Sequence, residues 1–170
     1  MRKALLSMYV VTLLALVAGC QSEDPAFVSK EFTFTAKFPK PPEVKETRGA
    51  KRTMTTFSHV NPNGVLQVAI SEGELSGEET GDEIQSMLDN TRDHIVVNAR
   101  GKLMSSNSTT IVGKYPGREF TANVAQPTGK LRGRVYIVGK RLYHVSAMGT
   151  ADYVNSPEAN TFLESFRLTE

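Results

Sequence analysis

The 170-residue chain has little of the chemistry that marks most enzymes: one cysteine (Cys20), no tryptophan and only three histidines. A single cysteine excludes an intrachain disulfide and a zinc site built from several thiolates. There is also no Gly-x-Ser-x-Gly elbow, no Walker A loop, no Gly-x-Gly-x-x-Gly and no His-Glu-x-x-His. The sequence therefore predicts a protein that is not an enzyme and that has no catalytic residues, metal ligands or cofactor.

The N-terminal residues are typical of an export signal. Arg2 and Lys3 precede an apolar core of ~15 residues, Ala4 to Ala18, which is shorter than the ~20 residues needed to span a bilayer. The run Leu16-Val17-Ala18-Gly19-Cys20 then resembles the lipobox of bacterial lipoproteins. This resemblance implies cleavage before Cys20 and attachment of a diacylglycerol to its thiol, which anchors the protein to a membrane. An ordinary export signal with a chance cysteine, or an uncleaved N-terminal helix, is the alternative.

This interpretation divides the chain into a signal peptide (1–19), a lipidated cysteine with its tether (20–30) and one domain (31–168). The signal contributes Arg2 and Lys3, so the mature chain has 18 basic and 18 acidic residues, and the net charge of +2 carries no information about partners. In the enterobacterial sorting pattern, an Asp directly after the lipidated cysteine retains a lipoprotein in the inner membrane, so Gln21 resembles a signal for the outer membrane. The predicted location is the cell envelope, lipid-anchored after export, at the outer membrane facing the periplasm in a Gram-negative cell.

Apolar periodicity predicts six or seven antiparallel strands and two main helices. Phe32, Phe34, Ala36 and Phe38 alternate with polar residues, as in a half-buried strand. Further strands are expected over 52–60, 65–70, 102–112, 118–124, 131–138 and 141–147, with turns at 61–64, 114–117, 126–129 and 139–140. One helix should begin near Asp82 and end at Gly101, and a second should follow Ser156-Pro157. Hairpin strands with separate helices indicate an α+β fold.

Four segments of the second half occur in a characteristic order: Pro-Gly-Arg-Glu-Phe (116–120), Arg-Gly-Arg-Val-Tyr-Ile-Val-Gly (132–139), Arg-Leu-Tyr (141–143) and Phe-Leu-Glu-Ser-Phe-Arg-Leu (162–168). Together with the early strand that ends at Phe38-Pro39, they resemble the PsbP-like domain family over roughly 31–168. The resemblance implies an α/β/α sandwich around a central antiparallel sheet. Plant PsbP assists the oxygen-evolving complex in the thylakoid lumen, a eukaryotic relative binds the Ran GTPase, and many bacterial members are lipoproteins of unknown role. The resemblance to this family thus implies a binding or assembly role.

Charge is distributed unevenly along the chain. Between Glu72 and Asp93 there are eight acidic residues and one basic, a net charge of −7, whereas between Arg100 and Arg141 there are nine basic residues and one acidic, a net charge of +8. Alternation along the strand at 131–138 places its basic residues and one tyrosine on one face. The candidate partner-facing basic patch consists of Lys130, Arg132, Arg134, Tyr136, Lys140 and Arg141.

Two interpretations of this basic patch remain. It contacts anionic lipid head groups, a cell-wall polymer or an acidic partner, or it is a solvated face paired with Glu119 and the acidic helix. Surface pairs of that kind contribute ~0–1 kcal/mol each, and this second interpretation is favoured. Nucleic acid is not expected as a partner, because the protein is exported.

Two functional hypotheses follow. The first is a membrane-anchored, non-catalytic binding or assembly module that docks on an unknown envelope protein or anionic polymer. The alternative is a small-molecule or metal-binding envelope lipoprotein, or a hydrolase whose site is unrecognised. His59, His94 and His144 share no ligand spacing on one element, which favours ordinary histidines over a metal site. The alternative requires a concave pocket with convergent polar groups.

Overall fold

The computed structural model describes residues 25–125 and 128–169. The predicted signal peptide (1–19), the predicted lipidation site Cys20 and the first part of the predicted tether lie outside the described residues, as do the first two residues of the predicted turn at 126–129. The later part of that tether is not a linker. Phe27–Ser29 forms a strand, β1, which pairs with β2 (Phe34–Ala36). The predicted tether is therefore shortened to residues before Phe27.

Within the described residues, the strands form two antiparallel sheets. The large sheet consists of β3 (Glu43–Arg48), β4 (Thr53–Asn61), β5 (Gly64–Glu72), β6 (Gly101–Ile111), β7 (Tyr115–Ala125), β8 (Thr128–Val138) and β9 (Arg141–Gly149). Its order is β3-β4-β5-β9-β8-β7-β6. The small sheet has the order β1-β2-β10, with β10 at Arg167–Leu168. Two meanders, β3 to β5 and β6 to β9, thus meet where β5 pairs with β9.

Three helices are described: α1 (Gly81–Asn98), α2 (Ala151–Val154) and α3 (Pro157–Ser165). The first begins earlier than predicted, because Thr80 rather than Asp82 is its N-cap: the Thr80 side chain accepts a hydrogen bond from Glu83 N, and the Glu83 side chain accepts one from Thr80 N. Ser156 caps α3 as predicted, accepting from Ala159 N at 3.2 Å. Among residues 25–125 and 128–169, no helix has the length and apolar character needed to cross a bilayer.

The large sheet has a hydrophobic core on each face. On one face, α1 packs over β6, β7 and β8, and its buried Leu88 and Val96 meet Phe120, Leu131 and Val135. On the other face lie α2, α3 and the small sheet, with a core rich in aromatic residues. The apolar stripe of α3 belongs to this second core, and it consists of Ala159, Phe162, Leu163 and Phe166. The arrangement is an α/β/α sandwich around an antiparallel sheet, so the predicted fold class is confirmed.

Two local predictions were incomplete. β3 was not predicted, because all six of its residues are exposed and give no apolar periodicity. The turn predicted at 114–117 lies earlier, at Val112 and Gly113, and Tyr115–Gly117 is already part of β7. Val112 and Gly113 have φ of 55° and 66°, the geometry of a type I′ hairpin turn. That turn was missed because valine is a β-branched residue that disfavours positive φ.

Candidate functional site

The predicted basic patch does not form an exposed surface. Lys130, Arg132, Arg134 and Tyr136 share one face of β8, as the alternation predicted, but α2 and α3 cover that face. Tyr136 is only 5% exposed, and its ring stacks on Phe166 with centroids 6.3 Å apart. The expectation of a tyrosine presented to a partner is therefore wrong, because that side chain belongs to the hydrophobic core.

Arg132 and Arg134 are committed to contacts within the domain. Arg132 Nη1 donates to Asn160 Oδ1 on α3 at 2.5 Å and to the Val154 carbonyl at 3.4 Å. Arg134 donates to the Leu163 carbonyl at 2.9 Å and to Glu119 Oε1 at 3.0 Å. Basic side chains stabilise helix C-termini by binding their last carbonyls. The two arginines thus hold α2 and α3 on the sheet.

The remaining basic residues of the patch are separated. Lys130 and Lys140 are exposed, but Lys130 lies near the start of β8 and Lys140 in the turn after its end, and the strand from Lys130 to Val138 alone spans roughly 26 Å. Arg141 donates to Glu72 Oε1 at 2.7 Å and to the Glu31 carbonyl at 3.0 Å, and its guanidinium lies 5.4 Å from the centroid of the Phe32 ring. The six predicted residues are therefore not one site.

Part of the charge separation along the sequence is balanced inside the fold. Arg118 of the basic segment donates to Asp89 of the acidic helix at 2.8 Å, and this hydrogen bond is the main reason why the pKa of Asp89 is lowered. Arg92 also donates to Asp89, at 2.8 Å. Glu72 pairs with Arg141 and Glu119 with Arg134. The favoured interpretation, with basic residues paired to Glu119 and the acidic helix, agrees with these contacts.

A groove of about 600 Å³ lies beside α1 and is the strongest candidate site among the described residues. It exists because α1 covers β6, β7 and β8 and leaves the neighbouring strands β9, β5 and β4 beside it. We call it the α1 groove. Its floor consists of Gln67, Ala69, Ser71, Leu142, His144 and Ser146. Its helical wall consists of Met87, Asn90, Thr91, His94, Ile95 and Asn98.

Small side chains on the floor explain the concavity. The α1-facing positions of β8 are filled by Leu131, Val135 and Ile137, which pack under the helix. Directly opposite these positions β9 carries Met148, His144 and Leu142, whereas β5, the next strand, carries the short side chains of Ala69 and Ser71 opposite His144 and Leu142. These short side chains leave the space that the larger ones fill elsewhere on the same face. The volume lies in the range of ~300–1,000 Å³ typical of small-molecule sites.

Two polar atoms under this floor have no hydrogen-bond partner. His144 Nε2 and Ser71 Oγ are both buried and unpaired. The imidazole as a whole is partly exposed, while its Nε2 atom is not. Burial lowers the pKa of His144 from its usual 6.5 to about 4, so the ring is neutral at pH 7. Unpaired buried polar atoms cost ~1–3 kcal/mol each, and native proteins contain few of them.

The histidines divide between the faces of the sheet. His94 and His144 both line the α1 groove. His59 lies directly opposite Leu66, which belongs to the core on the other face, so it cannot join them. In the part of the chain that the structure describes, no three His, Cys, Asp or Glu residues lie close enough to hold a metal ion.

No family model and no curated protein matches the chain. Among solved structures, it is similar to the solution structure of cyanobacterial PsbP (CyanoP) from Synechocystis sp. PCC 6803. The TM-score is 0.59 at 13% sequence identity, and the match covers 85% of this chain and 91% of that chain. The fold is PsbP-like. At this identity the likeness concerns the fold alone.

The position of α1 on the sheet explains how the groove arises but not what enters it. The α1 groove was missed in the sequence because its floor residues alternate along β5 and β9 with residues of the core on the other face of the sheet. On β5, Ala69 and Ser71 flank the core residue Ile70, and on β9, His144 lies between Tyr143 and Val145. One sequence signal was present. His144 and Ser146 are two residues apart, so they lie on the same face of β9 and give it two polar side chains in a strand that is otherwise largely buried. Recognising it as a site required knowing that α1 stops short of β9.

Proposed function

We propose that this chain is a lipid-anchored protein of the cell envelope whose PsbP-like domain is a non-catalytic binding or assembly module. The anchor rests on the lipobox, Leu-Val-Ala-Gly before Cys20, at the end of an export signal. Two acyl chains suffice for stable membrane binding. Because β1 begins at Phe27, the tether has about seven residues and reaches at most ~23–25 Å. The domain would thus work close to the membrane surface.

The observation that supports a binding role is the α1 groove: a concave site whose lining is divided between apolar and polar side chains. The proposed partners are the membrane, through the lipid on Cys20, and an envelope protein or anionic polymer. Lys130 and Lys140 are the exposed basic residues of the predicted patch that such a partner would meet.

The anchor is tested by Cys20→Ser. The wild-type chain should incorporate labelled palmitate and sediment with membranes, whereas Cys20→Ser should do neither. Gln21→Asp is the matched variant for location: in a Gram-negative host it should keep the lipid but move the protein from the outer to the inner membrane. Recovery of Cys20→Ser in the membrane fraction with an unprocessed signal would support an uncleaved N-terminal helix instead.

The partner is tested by charge reversal at exposed positions. Reversal of Arg132 or Arg134 would disturb the packing of α2 and α3, so a loss of binding there would be ambiguous. Lys130→Glu and Lys140→Glu avoid this difficulty, because both side chains are exposed. Capture of a defined envelope protein or polymer by the anchored chain should weaken in these variants. Unchanged capture would remove the basic residues from the proposal.

A small-molecule-binding role is the second candidate, and the α1 groove specifically favours it. Two unpaired polar atoms lie under the floor of that groove. The metal-binding form of this candidate has less support, because only two of the three histidines line the groove and no third His, Cys, Asp or Glu ligand joins them within the described residues.

A further inference from the structure

We propose that the α1 groove binds one uncharged, elongated, lipid-like molecule whose hydroxyl head hydrogen-bonds to His144 and Ser71. This inference rests on the proposed function, in which the domain is a binding module, and it names the class of ligand. Four properties of the groove carry it: its length, its lining, its charge balance and its two unpaired polar atoms.

The groove is long. Along β5 it extends from Val65, opposite Met148, to Ser71, opposite Leu142. Six residues of a strand span roughly 20 Å. The helical wall from Met87 to Ala99 is about 18 Å long. Both dimensions match an extended chain of a dozen or more carbon atoms, rather than a compact metabolite or a single ion.

The lining suits an apolar body of variable shape. Three methionines, Met54, Met87 and Met148, line the groove together with Leu75 and Ile95. Methionine side chains are unbranched and polarisable, so they adapt to irregular apolar surfaces. Three of the six methionines of the whole chain are at this one site. This flexible apolar part of the lining lies beside the polar side chains of the helical wall, so it favours an amphiphilic ligand with an aliphatic body over a rigid polar one.

Among its Arg, Lys, Asp and Glu side chains, the groove offers no unpaired charge to an ionised ligand. Arg52 and Glu74 are its only Arg, Lys, Asp or Glu residues, and Arg52 Nη1 lies 3.2 Å from Glu74 Oε1 at the end near Ser71. The neutral imidazole of His144 adds no charge to the floor at pH 7. Burying an ionised group without a partner is strongly unfavourable. The occupant is therefore an uncharged molecule.

His144 and Ser71 define where the polar head lies. Ser71 on the central strand β5 is paired with Met54 of β4 on one side and with Leu142 of β9 on the other. His144 of β9 is paired with Ala69 of β5. His144 Nε2 and Ser71 Oγ sit just beneath the groove surface and lack partners. A hydroxyl both donates and accepts, so it can pair with both atoms whichever nitrogen of the neutral imidazole carries the proton.

The test uses the full-length chain in phosphatidylcholine nanodiscs, with ¹³C in the methionine methyl groups. Met54, Met87 and Met148 report on the groove, and the exposed Met104 on β6 lies outside it and serves as the internal control. Titration with 1-dodecanol should shift the three groove signals in a saturable way and leave Met104 unchanged. Sodium dodecanoate, which has the same number of carbon atoms but an ionised head, should bind at least about tenfold more weakly.

Variants separate the body of the ligand from its head. Ala69→Leu fills the floor and should abolish the saturable shift, whereas Val97→Leu, on the exposed side of α1, should leave it intact. His144→Phe keeps an aromatic ring but removes the hydrogen bond, so it should weaken dodecanol binding roughly two- to tenfold. It should leave dodecane binding unchanged. If Ala69→Leu fails to fold, the weaker dodecanol binding of His144→Phe, with Met104 as the internal control, still tests the proposal.

Several results would overturn the inference: no saturable shift in the wild-type chain, equal shifts at Met104, equal affinity for dodecanol and dodecanoate, or shifts produced by Zn²⁺ but not by the alcohol. A negative titration on membrane-bound protein would leave the anchor intact, because the anchor is measured separately with Cys20→Ser. Failure of the ligand class and failure of the proposed function are thus distinguishable.

Discussion

Replacement of His144 by phenylalanine should stabilise the protein. The change removes the unpaired Nε2 atom and keeps an aromatic ring at the same position. An unpaired buried polar atom costs ~1–3 kcal/mol. Because the imidazole is partly exposed, the lower end of this range applies, and we expect the free energy of unfolding to rise by about 1 kcal/mol at pH 7.

The stabilising effect should grow as the pH falls. Burial lowers the pKa of His144 to about 4, whereas in the unfolded chain the imidazole titrates near 6.5. Below pH 6.5 the unfolded state therefore binds more protons than the native state, and the wild type loses stability until the pH approaches 4. Between pH 7 and pH 5 this loss is about 2 kcal/mol. His144→Phe is free of it, so its advantage should reach about 3 kcal/mol at pH 5.

Urea unfolding followed by circular dichroism at pH 7, 6 and 5 measures this difference. Met148→Leu is the matched control, since it changes the same face of β9 without altering a titratable group. It should keep the wild-type dependence on pH. The other ionisable side chains of the groove, Arg52, Glu74 and His94, are present in all three proteins, so their contributions cancel. A constant difference between His144→Phe and wild type from pH 7 to pH 5 would refute the argument.

Three further predictions concern stability. Val112→Asn should raise the free energy of unfolding by about 1 kcal/mol, seen as a higher Tm, because asparagine tolerates the positive φ of this 60% exposed residue better than valine; an unchanged Tm would mean that the turn is not strained. Asp89→Asn should lower stability by about 1 kcal/mol at low salt by weakening the pair with Arg118, and by less in 1 M salt. Since the pKa of Asp89 is lowered in the fold, this contribution should also vanish in acid, and a difference that persists there would contradict it. Gly149→Ala should cost about 3 kcal/mol or more in urea unfolding, because its Cβ would lie 2.2 Å from the Asn63 carbonyl oxygen; wild-type stability would show that the backbone can move there.

The sequence predicted the fold better than the site, for a physical reason. Alternation of residues determines which side chains share a face of a strand, and this was correct for Arg132, Arg134 and Tyr136. It does not determine what covers that face, which depends on the docking of α2 and α3 from a distant part of the chain. Helix capping at Ser156 was local and therefore predictable. The α1 groove depends on where a helix stops over a sheet, which no local pattern encodes.

The pairing of β5 with β9 has a consequence for how the protein folds. Its partners are about 70 to 85 residues apart in the chain, so closing this seam carries a large entropic cost and should follow formation of the two local meanders. Until then both strand edges are open to association with other chains. Ser71 and His144 lie on opposite sides of the seam, so the groove is completed only when the two halves of the chain have joined. A molecule bound there would bridge both halves and favour the closed sheet by mass action.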